Sequence, residues 1–418
     1  MKKRISALLL AVLMVTALLP AMAMAEGNPT EVGTLFELKT ALAAGGSIKL
    51  TADISTSGTL TIGKGVTIYG DGHTISCSAA ASTRYPTLKI TTAEEVVFDN
   101  VKATNGTIKG ACLDISANNA QVVLKNKTEM TANGTSKNPS VIRVNNSGAK
   151  IEIDDSTLFG DGAIYAVLAT AQCQLTVKNN SKLTGYAAIY LGGGSAGSVV
   201  KVTDSQLNGL NKFEGKANFA VVAIQSADCS VEIENSQVKS QSTGGATQGV
   251  VRFAESTSTV KVSGDSTVTL AGDNAQLSYE GAPAGSLEIA DTAICRKDAA
   301  ETAEKSLTDT DKAMVNAALA DGYQLNADGT VGKIPPAYAG PVMNWVKVNA
   351  ANNGVVKSGP LAASAGATVT LYPKAAEGYV LDTVEVLDAE GNAVELDGLK
   401  FAIPAGGVTV NATFKLAE

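Results

Sequence analysis

The sequence predicts an all-β chain: a right-handed parallel β-helix (solenoid) followed by a small C-terminal all-β module. Three observations predict it. A phrase recurs as IEIDDSTL, LTVKNNSKL, VKVTDSQL, VEIENSQV and VKVSGDSTV, starting at residues 151, 175, 200, 231 and 260. The steps are 24, 25, 31 and 29 residues, the period of a stacked, quasi-one-dimensional fold. A second short strand precedes each phrase, as at Leu88-Lys89-Ile90, Leu113-Asp114-Ile115, Ile142-Arg143-Val144 and Ile189-Tyr190-Leu191. After Pro335-Pro336 and Gly340-Pro341 the repeat stops and a different alternating pattern begins.

In chain order, Lys2, Lys3 and Arg4 precede an apolar run from Ile5 to Leu19 and a small-residue site at Ala23-Met24-Ala25. This reads as a signal peptide over residues 1–25. Thr34-x-x-Glu37 is a capping box, followed by Leu35, Leu38 and Leu42 at helical spacing and by Gly45-Gly46. Residues 26–46 are therefore expected to cap the solenoid, which should run over 47–271. Like strands recur once per coil, so they must stack in parallel, and parallel crossovers favour the right hand. Both strands of a coil read apolar–variable–apolar, one face in and one face out. Ile153, Val177, Val202, Ile233 and Val262 are the expected inward centres. Asn100, Asn126, Asp155, Asn179, Asp204, Asn235 and Gly264 mark a corner that needs left-handed backbone. Residues 272–340 read as C-terminal cap and linker, with a capping box at Thr308-x-x-Asp311 and a hairpin at Asp328-Gly329. Residues 341–418 form the separate all-β module.

Composition narrows the function classes. The formal net charge of −7 is modest and dispersed, and no basic stripe marks a nucleic-acid partner. Beyond the leader no apolar stretch reaches membrane-spanning length. Five cysteines without CxxC spacing argue against a disulfide framework or a zinc site. Cys173 and Cys229 both lie two residues before a phrase strand, but a coil intervenes, so they stand ~9–10 Å apart, too far to bridge. The lone His73 sits in a turn and reads as structural. No metal site and no cofactor is expected.

The run GSIKLTADI followed by LTIGKGVTIYGDGHTI resembles the opening of pectate-lyase-like β-helix domains of bacterial surface proteins, over roughly Thr34 to Ala271. The last segment resembles the internalin B-repeat-like bacterial module. It carries Gly366-Ala367-Thr368-Val369-Thr370-Leu371, the Gly378-Tyr379 turn and Phe401 with Pro404-Ala405. The first resemblance implies fold more than activity, because many such domains are not enzymes. The second implies a spacer or adhesive unit on a cell surface.

A lyase would need clustered carboxylates for calcium and a nearby base, and a glycosidase two opposed carboxyls. The outward positions of the second strand read Lys89, Asp114, Arg143, Tyr165, Tyr190, Ala223 and Arg252, with a single carboxylate. No catalytic residue is assigned. The row Asp114, Arg143, Tyr165 and Tyr190 offers flat rings beside a guanidinium and is the candidate ligand-binding face. The expectation is a secreted or surface-attached, non-enzymatic scaffold or adhesin whose partner is a polysaccharide or a host or cell-wall surface. The alternative is a polysaccharide lyase or glycoside hydrolase of the same superfamily.

Overall fold

The computed structural model describes residues 28–417, apart from 79–84, 108–109, 135–139, 163–164, 212–218, 243–246, 256, 280, 284–285 and 335–342. The expected leader lies outside the described residues. Two compact units divide between Gly332 and Lys333.

The first unit is a parallel β-helix of three sheets. The first sheet holds the recurring phrase, with strands such as Ala149–Asp154, Cys173–Lys178 and Val199–Thr203. The second sheet holds the strands read upstream of each phrase, from Leu60–Ile62 to Ala275–Ser278. A third sheet was not expected. Its strands are the tails of the phrases, such as Thr157–Gly162, Lys182–Gly185 and Gln206–Asn211. Each phrase is thus two strands joined by a bend of two or three residues, which is why it read as one strand and a turn.

That bend sits where the polar row predicted it. Asn100, Asn126, Asp155, Asn179, Asp204 and Asn235 have φ between 42° and 55°, and Gly264 has φ 66°. In this region most L side chains are strained, and Asn, Asp and Gly are least so. Asn amides also bond along the axis, from Asn126 Nδ2 to Asp99 Oδ1 at 2.8 Å and from Asn179 Nδ2 to Asp154 Oδ1 at 2.7 Å. In all these copies but the one at Asn100, a Ser or Thr one or two residues later is buried and satisfies the backbone of the corner. Ser156 N donates to Ser181 Oγ at 3.1 Å, Ser205 N to Ser236 Oγ at 3.1 Å, and Ser236 N to Ser266 Oγ at 3.0 Å. A tight buried corner would otherwise leave amides without partners, each costing about 1–3 kcal/mol.

The inward residues stack in register. Leu124, Ile153, Val177, Val202, Ile233 and Val262 are consecutive partners in the first sheet and all are buried. Outward neighbours in the same sheet alternate in charge. Lys201 Nζ lies 3.8 Å from Glu232, and Lys261 Nζ 2.7 Å from Glu288. These exposed pairs are worth ~0.2–1 kcal/mol each.

Both ends are closed by helices. Leu35–Ala44 buries Leu38, Ala41 and Leu42, and its capping box is formed by Thr34 and Glu37. The solenoid runs past the expected end at residue 271. Leu287–Ile289 and Thr292–Lys297 add another coil, written as LEIADTAI with Asp291 at φ 43°. This is the phrase again, disguised because apolar Ala290 stands where the other copies carry a polar residue, such as Asp154, Lys178 or Glu234. The helix Asp309–Ala317 follows, capped by Thr308 and Asp311. Then come Tyr323–Leu325 and Thr330–Lys333, neighbouring strands turned at Gly329. Arg296 pins this cap. Its guanidinium donates to both oxygens of Asp311 at 2.8 and 2.7 Å and to the carbonyls of Gly272 and Ala275.

The second unit has its own core, including Val369, Leu371, Val386, Phe401, Ile403 and Val410. A four-stranded sheet joins Ala362–Ser364, Met343–Val348, Val408–Leu416 and Tyr379–Asp388. A three-stranded sheet joins Gly354–Gly359, Thr368–Ala375 and Lys400–Ala402.

Candidate functional site

The outward row of the second sheet differs from the expected one at a single coil. Lys89, Asp114 and Arg143 are consecutive partners. Arg143 then pairs with Leu168, not Tyr165, and Leu168 pairs with Tyr190. Tyr190 continues to Ala223 and Arg252. Tyr165 pairs instead with Ser140. The strand Tyr165–Ala169 reads YAVLA and is buried along its whole length. Two alternating frames fit such a run equally well, so the pattern could not distinguish them.

Tyr165 nevertheless reaches Tyr190. Their rings stack with centroids 4.8 Å apart and planes 8° apart. Two further rings complete the patch. Tyr186 stacks on Phe219 at 4.7 Å and 16°, and Phe219 lies 5.6 Å from both Tyr165 and Tyr190. Leu168, Ala187, Ala220 and Ala223 fill the gaps of this second cluster, outside the helix core. Tyr186 and Phe219 were missed by the sequence reading. Both stand four residues before an outward position, at Tyr190 and Ala223, and Tyr165 stands three before Leu168. That offset was the available signal.

Packing has consumed most of the ring faces. Tyr165, Tyr186 and Phe219 are buried, and Tyr190 is half-buried. Burial pushes the Tyr165 phenol well above its usual range, with Tyr190 and Tyr186 adding to it. Burial also pushes Tyr186 up to about 12, against the opposing pull of Arg252. Both phenols therefore stay neutral at physiological pH and act as donors or acceptors.

Arginines stand on both sides of the patch in one row. Arg143 forms an ion pair with Asp114. Asp114 also accepts from Asn145 Nδ2 at 2.6 Å and Ser116 Oγ at 2.7 Å. Oδ2 thus meets Arg143 while Oδ1 is held by Asn145 and Ser116, which suits a buttress for Arg143 and not a general base. Arg252 lies 5.4 Å from the Tyr279 ring centroid, a cation–π contact. Four coil steps separate the two arginines, about 19 Å at the sheet spacing.

Elsewhere, an open groove of about 820 Å³ lies at the C-terminal cap between Arg296, Lys305, Lys312 and Asn326. Its lysines are engaged, Lys305 with Asp273 at 2.8 Å and Lys312 with Asp309 at 3.6 Å. Among the described residues, no group of three His, Cys, Asp or Glu side chains is gathered as metal ligands. All five cysteines are free thiols.

Residues 29–142 match the family described as "Putative pectate lyase-like adhesive domain". Residues 344–418 match the family described as "Divergent InlB B-repeat domain". No curated protein and no solved structure matches the chain. The first match covers the N-terminal cap and the opening coils, and the phrase carries the same fold on to Lys297. The chain therefore joins a pectate-lyase-like parallel β-helix to a C-terminal internalin B-repeat-type module.

Proposed function

We propose that this is a secreted, surface-attached, non-enzymatic adhesive scaffold, and that its β-helix engages polysaccharide on the second sheet. The adhesive-type family match and the B-repeat-type module support a surface role. The leader-like residues 1–25 support export. The observation that carries the binding face is the row in which Arg143 and Arg252 flank Tyr190. Guanidinium forks bond sugar hydroxyls and carboxylates in fixed geometry, and an apolar ring between them takes a sugar face. The half-buried Tyr190 is the ring with surface left to offer. The engaged state of Asp114 weighs against the lyase reading, which needs a carboxylate available to a metal or a proton.

The test is a glycan array with the chain from residue 26, run beside an assay for released reducing ends. Arg252→Gln and Tyr190→Leu should each weaken the strongest array signal about tenfold. Reducing-end release that rises with time would make the chain an enzyme. Unchanged binding by both variants would move adhesion away from this sheet.

A further inference from the structure

One sheet of the C-terminal module carries positive charge alone, whereas the other is mixed, with Lys347 and Lys415 beside its acids. The strands Gly354–Gly359, Thr368–Ala375 and Lys400–Ala402 carry Lys357, Lys374 and Lys400 and no Asp or Glu. The strand Tyr379–Asp388, in the other sheet, carries Asp382, Glu385 and Asp388. Alternation fixes the side on which the lysines stand. Val369, Leu371 and Phe401 are buried in the module core, so Thr370, Tyr372, Lys374 and Lys400 face the opposite way. Lys357 pairs with Tyr372, and Lys400 with Thr370. The three lysines therefore surround one tyrosine on one face.

That face is open. Lys357, Lys374 and Lys400 are exposed, and Tyr372 is 58% exposed. None of the three lysines forms an ion pair among the described residues. The acids nearest along the chain are Glu377 and Asp397, in the turns after Lys374 and before Lys400. The tyrosine has a prepared bed. A side chain at Gly359 would begin 3.1 Å from Tyr372 Cε2 and 3.8 Å from its hydroxyl. Glycine there lets the ring lean over the neighbouring strand and keep its other side toward solvent.

We propose that this face docks an acidic polysaccharide whose sugars carry carboxylates. Tyr372 stacks on a sugar ring, and the three ammonium groups neutralise carboxylates along the polymer. By strand spacing and rise the lysines lie about 8–14 Å from one another, one to two Debye lengths at physiological salt. Each therefore acts on a carboxylate in direct contact with it, at a range where the negative charge of the whole chain is screened. This surface is independent of the arginine row on the β-helix.

The probe is immobilised polygalacturonate, with neutral dextran and anionic phosphatidylglycerol vesicles as comparison surfaces. The full chain from residue 26 should bind polygalacturonate, not dextran, and release it as salt rises. The combined variant Lys357→Gln, Lys374→Gln and Lys400→Gln should bind at least tenfold more weakly. The matching three Lys→Arg changes should retain binding, and Tyr372→Ala should weaken it several-fold. Lys201→Gln, on the first sheet of the β-helix and outside both proposed faces, should leave it unchanged, which separates this face from a general effect of lost positive charge. Lys357, Tyr372, Lys374 and Lys400 are exposed, so the melting temperatures of their variants should not move. Equal binding by the triple Gln variant, equal binding to dextran, or binding to the vesicles alone would overturn the proposal.

Discussion

Tyr165 and Tyr190 stack at 4.8 Å with nearly parallel planes, yet they are not partners in the sheet. The partner of Tyr190 in the strand that holds Tyr165 is Leu168. Tyr165 lies three residues earlier in its coil and reaches its neighbour from a second outward row. The stack is consequently part of the packing of the β-helix and not a bare platform.

That placement makes Tyr165 a stability residue. Truncating a buried ring removes its transfer energy, leaves a cavity, and here breaks contacts with three other rings. Tyr165→Ala should destabilise by about 3 kcal/mol, and Tyr190→Ala, half-buried, by about 1 kcal/mol. Denaturant midpoints of the two variants check the order. A larger loss at Tyr190 would place the weight of the cluster on the wrong ring.

Val202 lies at the centre of the inward stack, between Val177 and Ile233, and is buried. An aspartate there has no partner and no route to water. Val202→Asp should cost several kcal/mol. A variant that melts with the parent would show that the strand faces the other way.

The corner residues allow a sharper contrast. Asp204 has φ 47°. Asp204→Gly suits this backbone and should change stability by less than about 1 kcal/mol. Asp204→Val places a β-branched residue in the left-handed region and should cost about 2 kcal/mol. Equal melting of the two variants would mean that backbone conformation does not select the corner residue.

The Arg296–Asp311 pair should make the C-terminal cap sensitive to acid. Burial alone would raise the Asp311 carboxyl, but the bonds from Arg296 and Thr308 outweigh it and hold the group below its ordinary value. A carboxyl depressed in the folded state contributes stability above its unfolded pKa of about 4. That contribution is lost as the pH falls through the folded value. Hydrogen exchange in Thr292–Lys297 and Asp309–Ala317 should therefore quicken below about pH 4. Arg296→Met leaves the carboxylate and two carbonyls without their donor, and should cost about 3–5 kcal/mol at neutral pH. Exchange in this region that ignores both acid and the substitution would remove the pair from the cap.

The module from residue 343 onward has a separate core and should fold alone. Residues 340–418 should melt cooperatively by circular dichroism. A fragment without a transition would mean that the β-helix supplies part of its stability.

The sequence by itself determined the architecture. A phrase that returns each coil can bury its apolar centres only by stacking on its own copies, so Ile153, Val177 and Val202 fall in one column. The Asn and Asp corners were equally legible, because few residues tolerate left-handed backbone. Tertiary structure alone decided three things. It split each phrase into two strands, since the bend takes only two or three residues and its Asn, Asp and Ser read as an ordinary turn. It set the register of Tyr165–Ala169, because an unbroken apolar run fits two frames and only its neighbours Ile142 and Ile189 choose between them. It gathered Tyr165, Tyr186, Tyr190 and Phe219 on one face, and set three lysines around Tyr372. Those contacts join residues from different coils and strands, and their spacing in the chain depends on loop lengths that no local pattern fixes.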